Sequence, residues 1–259
     1  MKATVYTITY NQCEIVKRTI LGLFNQDYPQ DCYEIVVLDD GSNDGTLKTL
    51  NVLAQKSPVP LRVLSCVHEA DYLSAKRWNQ CISASSALTE VFIQMDDVCV
   101  RPDFIRQHTK WHALGPQFLV TGAKFEGQSV TWDLSACRRG RLAGPGGRAT
   151  EIEIFTAVWG ASLSFTRTLM ERVYRAPYER PYDERMAGWG FHEVEFACRV
   201  KKAGATIIYD PAAGVFHKEH TADTEERRGL RRERLLREGM ENNEQYLLRK
   251  HGLQKLPRW

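Results

Sequence analysis

Two pairs of adjacent carboxylates stand where apolar runs end. Asp39-Asp40 closes Glu34–Leu38 and opens Gly41-Ser42-Asn43-Asp44-Gly45-Thr46, and Asp96-Asp97 closes Val91–Met95. Taking neighbouring carboxylates out of water is costly unless something pairs with them. Ser42 or Asp44 can cap a following helix, which explains part of the first segment but not two consecutive acids. A nucleoside explains them, because base N–H groups and ribose hydroxyls need acceptors. The second pair is expected beside the first across the sheet edge. It offers hard oxygen ligands for a divalent cation bridging diphosphate oxygens, although a turn with solvated acids is the plainer reading. Further along, Gly188-Trp189-Gly190 precedes a helical pattern that carries Glu193 and Glu195 early. Acids there complement the helix dipole, which would also lower a carboxylate pKa and suit an ionised base. Finally, His217 and His220 follow a short apolar run.

The elements that must position these groups alternate. Thr4–Thr9, Glu34–Leu38, Leu61–Leu64 and Val91–Met95 read as buried strands, separated by helical patterns over Glu14–Asn25, Asp44–Gln55 and Leu73–Ala84. Strand-helix-strand spacing of this kind gives a parallel sheet with helices on both faces. Ligands of such sheets sit beyond the C-terminal strand ends, where both acid pairs fall. After Val98 the spacing predicts a helix over Pro102–Ala113, a strand over Phe118–Phe125 and strand-rich chain over Ile152–Phe165. A helix over Gly190–Ala203 and a short strand over Thr206–Tyr209 follow. Cys137–Arg148 reads as a loop with four arginines, four glycines and no acid. From Thr224 to about Lys250 the chain reads as a mixed-sign helix, an ordinary solvated surface element.

The 259 residues suffice for one large α/β domain, and 43% hydrophobic with 26% charged residues is globular composition. A net charge of +3 does not by itself call for nucleic acid or an acidic membrane. No stretch has the apolar length of a membrane span, and no signal core opens the sequence. Seven scattered cysteines, none at C-x-x-C spacing, argue against a zinc site or a disulfide framework. The expectation is a reduced, cytoplasmic protein, or one working peripherally at a membrane.

Taken together, the residues from about Thr4 to His217 resemble the family 2 glycosyltransferases of GT-A fold. The resemblance is carried by Thr9-Tyr10-Asn11, the Asp39-Asp40-Gly41-Ser42 segment, Arg77-Trp78-Asn79, Asp96-Asp97, and a late run. That run is Tyr182-Asp183-Glu184, Gly188-Trp189-Gly190, Glu193, Arg199 and Gly204. It is similar to the WGGED segment of galactosyltransferase-type and chondroitin-polymerase-type enzymes. The sequence departs from the family in having Gln94 where D-x-D begins, and Glu193 where the late motif carries Asp.

The resemblance implies one domain. Residues 1–98 would form a nucleotide-sugar-binding half with a Rossmann-like sheet, 99–223 an acceptor and catalytic half, and 224–259 a C-terminal charged helix. It implies an inverting hexosyltransferase that uses a nucleotide sugar, UDP-linked, and a divalent cation, Mn2+ or Mg2+. Thr9, Tyr10, Asn11, Asp39, Asp40 and Asp96 would hold the nucleotide, and Arg77 would reach the diphosphate. Asp97 and His217 would ligate the metal, Glu193 would be the general base, and Trp159, Trp189, Gly190 and His192 would face the acceptor. That acceptor is open among a glycan, a peptide or protein, an envelope precursor and a nucleic acid. The rival reading is a catalytically weak nucleotide-sugar-binding module, which Gln94 favours. A dinucleotide-binding dehydrogenase is excluded because no G-x-G-x-x-G follows an early strand.

Overall fold

Ala3–Thr9 (β1), Tyr33–Asp39 (β2), Leu61–Ser65 (β3) and Val91–Met95 (β4) pair in parallel, in the order β3-β2-β1-β4. β1, β2 and β4 are buried almost throughout, so alternate residues serve two different cores. Tyr6, Val36, Leu38 and Phe92 face a cluster with Trp78, Cys81 and Ile82 of α3 (Ser74–Ala84). Val5, Ile35, Val37 and Ile93 face the other side. There Val16, Ile20 and Leu23 of α1 (Cys13–Phe24) and Leu50 and Leu53 of α2 (Thr46–Gln55) pack. The computed structural model describes residues 1–69, 73–96, 98–174, 180–218 and 229–256, with the backbone alone for 218 and 229–236.

The second half continues the same sheet. Cys99–Val100 (β5) lies at its edge, Phe104–His112 (α4) covers one face, and Phe118–Gly127 (β6) lies further in. Cys137–Arg138 (β7) pairs with β6. Ser162–Thr166 (β9) runs antiparallel between β4 and β6. Thr206–Lys218 (β10) lies parallel to β6 and carries β5 and Thr150–Glu151 (β8) antiparallel. Ile154–Ala157 (α5), Arg167–Val173 (α6), His192–Lys202 (α7) and Gly229–His251 (α8) complete the chain.

Four expectations are corrected. The strand-rich reading of Ile152–Phe165 holds only for its second part, because a short helix precedes β9. The short strand at Thr206 runs thirteen residues, through a register shift between Asp210 and Val215 that absorbs Pro211. The arginine-glycine segment is partly structured as β7 and a 3-10 turn, with Leu142 and Ala143 against the core. β1 also lies between β2 and β4, so Asp39 and Asp96 do not sit at neighbouring strand ends.

Candidate active site

Thr9 and Asp39 end neighbouring strands in register, and both are buried. One Asp39 oxygen accepts from the Ser42 amide at 3.1 Å. Its other oxygen, Oδ1, and Thr9 Oγ1 have no hydrogen-bond partner among the described residues. Buried polar atoms without partners at two neighbouring strand ends are expensive, and a polar ligand or ordered water would satisfy them. Asn11 adopts φ 51°, an uncommon conformation that asparagine tolerates, and ties the two loops above them. Its amide donates to Ser42 Oγ, and its side-chain oxygen accepts from the Asn43 amide, each at 2.8 Å. Tyr10 is exposed and stacks on His68, with ring centroids 4.0 Å apart.

Asp40 has a different setting. It accepts from Arg77 Nε at 2.7 Å and meets His68 Nδ1 at 3.0 Å. Arg77, which is buried, also reaches Glu69 and the Val67 carbonyl. The guanidinium expected at a diphosphate is thus engaged here with Asp40 and Glu69. Its neighbours on α3 bind the late run: Asn79 pairs with the Tyr182 backbone in both directions, at 2.8 and 3.1 Å, while Trp78 packs against Tyr182 and His192.

Three acids of the late run have unlike surroundings. Asp183 accepts from Arg185, Tyr246 and Lys250, and these bonds hold it well below the usual carboxylate range despite burial. Glu195 is also buried, yet His251, Arg199 and Lys250 keep it at about 2. Glu193 makes no ion pair among the described residues; Gln94 Nε2 donates to its Oε1 at 3.2 Å. Burial raises its pKa, and the Gln94 bond pulls the other way. The depression expected from the helix dipole is therefore overturned, because desolvation is the larger effect. His192 lies inside, with Nε2 3.2 Å from the Met186 carbonyl, and burial lowers it to about 4.

α8 is not the solvated element that its charge pattern suggests. Its Leu247, Leu248 and Asn243 are buried, and Asn243 Nδ2 donates to the Gly190 carbonyl at 3.0 Å. Gly239 meets Gly188 backbone to backbone: a Cβ on Gly188 would lie 2.9 Å from the Gly239 Cα, and one on Gly239 2.8 Å from the Trp189 nitrogen. Sequence reasoning missed Tyr6, Gly160, Gly239 and Lys250, and placed Tyr182 in the late run without its contact to Gln94. Only Gly239, a helix-weakening residue inside a helix, carries a signal that could have exposed it.

Asp97 and His220 lie outside the described residues. Asp96 follows β4 and is half-buried. Cys99 pairs with Phe216, which brings the half-buried His217, the next residue along β10, beside the stretch that joins β4 to β5. A carboxylate there suits Mn2+ or Mg2+ in chemical type, and an imidazole beside it favours Mn2+ over Mg2+. No cluster of three metal-ligating side chains occurs among the described residues. Trp159 donates from Nε1 to the Gly122 carbonyl at 2.9 Å, with the Arg139 guanidinium over its ring, whereas Trp189 is 47% exposed. Among the described residues no helix is long and apolar enough to cross a membrane.

Solved structures of similar fold are glycosyltransferases. The mannosyltransferase PcManGT from Pyrobaculum calidifontis, in complex with GDP-Man and Mn2+, superposes with TM-score 0.63 at 20% identity, over 83% of this chain and 56% of that one. GalNAc-T7 with UDP, GalNAc and Mn2+ gives 0.66 at 14%, over 85% of this chain and 43% of that one. S. aureus TarS 1-349 gives 0.61 at 16%, over 84% and 60%. The chain therefore spans about half the length of these structures, and their likeness shows the GT-A fold. No curated protein matches it in sequence. The family model for glycosyl transferase family 2 matches residues 4–165, from β1 through β9, and the chain belongs to that family.

Proposed function

We propose that this chain transfers a hexose from a nucleotide sugar, UDP-linked, to an acceptor hydroxyl with inversion at the anomeric carbon, and that Glu193 is the general base. The observation that carries this reading is the contrast among the three late acids. Asp183 and Glu195 are bound by cations, while Glu193 meets a neutral amide and has a raised pKa. A carboxylate so placed can take the acceptor proton as the oxygen attacks; positioned base catalysis typically contributes about 10²–10⁴-fold.

Thr9 Oγ1 and Asp39 Oδ1 would receive the base or ribose donors, and Tyr10 with His68 would offer an aromatic face to the base. Asp97 and His217 would hold the divalent cation, with Asp96 beside them on the nucleotide. The bound ion would supply positive charge to the departing diphosphate. Trp189 offers an exposed apolar face on which an acceptor sugar could stack.

The test is mass spectrometry of products from UDP- and GDP-sugars with Mn2+ or Mg2+ and a panel of glycan, peptide and nucleic-acid acceptors. NMR of the new linkage would give the anomeric configuration. Transfer with inversion is expected. Nucleotide-sugar binding without turnover under every condition would instead support a binding module. Calorimetry with UDP should show affinity that drops when EDTA removes the cation, and equal affinity would remove the metal from the proposal.

A further inference from the structure

Gln94 stands where the family's metal motif begins with an acid, yet its side chain lies inside the sheet rather than at the strand-end site, with none of its surface exposed. Four groups surround its amide. Nε2 is 3.2 Å from the Gly160 carbonyl and 3.2 Å from Glu193 Oε1, two acceptors for its two protons. Oε1 accepts from Tyr6 at 3.2 Å and from Tyr182, whose hydroxyls are 3.0 Å apart. Turning the amide over would set its oxygen against a carbonyl and a carboxylate and leave two hydroxyls facing an NH2, so its orientation is fixed by its partners. Gly160 makes the close approach feasible, because a Cβ there would lie 2.2 Å from Glu193 Oε1 and 2.3 Å from Gln94 Nε2.

From this arrangement we infer that Gln94 is a positioning residue: its amide, locked by Tyr6 and Tyr182, orients the Glu193 carboxylate for proton abstraction. The inference rests on the reading of Glu193 as the base. An aspartate or glutamate at position 94 would oppose acceptor to acceptor. The exchange of an acid for an amide thus trades a metal-side carboxylate for a donor under the base. The titratable groups behind the amide are Tyr6 and Tyr182, both pushed well above the ordinary phenol range by burial and so neutral donors; Asp96 lies beyond the end of β4.

The experiment compares Gln94→Met, which keeps length and removes the donor, with Glu193→Gln, Tyr6→Phe and Tyr182→Phe. For each, kcat, donor KM, UDP affinity by calorimetry, the pH profile of kcat and the thermal midpoint are measured. Q94M should lower kcat about tenfold or more with UDP affinity within about twofold. The acid limb of its profile should move to higher pH, because the carboxylate loses a bond that favours its charged form. The two phenylalanine variants should lower kcat by about threefold each, and they carry the test if Q94M does not fold. Weaker donor binding with unchanged kcat in Q94M would make Gln94 a donor-site residue and overturn the inference. Wild-type kcat and pH profile in Q94M, or in both phenylalanine variants, would overturn it too while E193Q stays inactive. Activity in E193Q would overturn the underlying reading instead.

Discussion

Asp183, Glu193 and Glu195 lie in one stretch of chain and differ chiefly in their neighbours. Two are held ionised by Arg185, Arg199 and Lys250, and the third is left to a neutral amide in a buried place. Replacement of Glu193 by Gln should cut transfer by about 10²-fold or more while leaving UDP affinity within about twofold; single-turnover assays and calorimetry are the check. Near-normal transfer would move the base elsewhere. The nucleotide end allows a separate test. Thr9 Oγ1 has no hydrogen-bond partner to lose among the described residues, so Thr9→Val should leave the thermal midpoint nearly unchanged and weaken UDP by about threefold to tenfold, the worth of one hydrogen bond. Unchanged affinity would take Thr9 out of the donor site. The strand-end acids were legible in sequence because a costly residue type recurs where a strand must stop. The amide under Glu193 was not. Gln94 and Glu193 are 99 positions apart, Tyr6 and Tyr182 are 176 apart, and no local periodicity reports such meetings.

The parallel strands and their helices declared themselves through periodicity that tertiary packing did not override, so β1 to β4 fall where sequence reasoning places them. α8 misled because the same charges that solvate an isolated helix here meet buried acids. Lys250 reaches Asp183 and Glu195 at 2.7 Å each, and Tyr246 reaches Asp183 at 2.8 Å. Gly239 gives the element a test whose sign decides. In an undocked helix Gly239→Ala would stabilise by about 1 kcal/mol through propensity. Against the backbone of Trp189 it should destabilise, because the added carbon would sit 2.8 Å from a nitrogen that cannot yield cheaply. A lower thermal midpoint and slower transfer are expected, and a raised midpoint would mean that α8 does not dock there. Lys250→Met should destabilise by about 2 kcal/mol, since charge-assisted bonds to two buried carboxylates are lost. Urea unfolding checks this, and an unchanged midpoint would deny the clamp.

At the scale of the molecule, three imidazoles among the described residues are buried and held low. Burial takes His108 and His112 to about 3 and His192 to about 4, all below the ordinary 6.5. His108 and His112 share the Ser164 hydroxyl at 2.8 Å from each. The unfolded chain therefore takes up protons first as pH falls. The stability held by these neutral rings is full above about 6.5 and drains toward pH 4, at about 1.4 kcal/mol per pH unit for each proton. Urea midpoints should fall measurably between pH 6.5 and pH 5. The depressed acids Asp183 and Glu195 contribute their loss only below that interval, so a flat midpoint across it would contradict the burial of the imidazoles. The reach from Lys250 back to Asp183 and Glu195 also sets an order of manufacture. A ribosome delivers β1 to β4 and the orphaned atoms of Thr9 and Asp39 early. Asp183 and Glu195 must wait for a lysine made much later. A growing polypeptide thus carries the ends of β1 and β2 well before it carries the fastening of its late run, and the last stretch of synthesis closes the buried ion pairs.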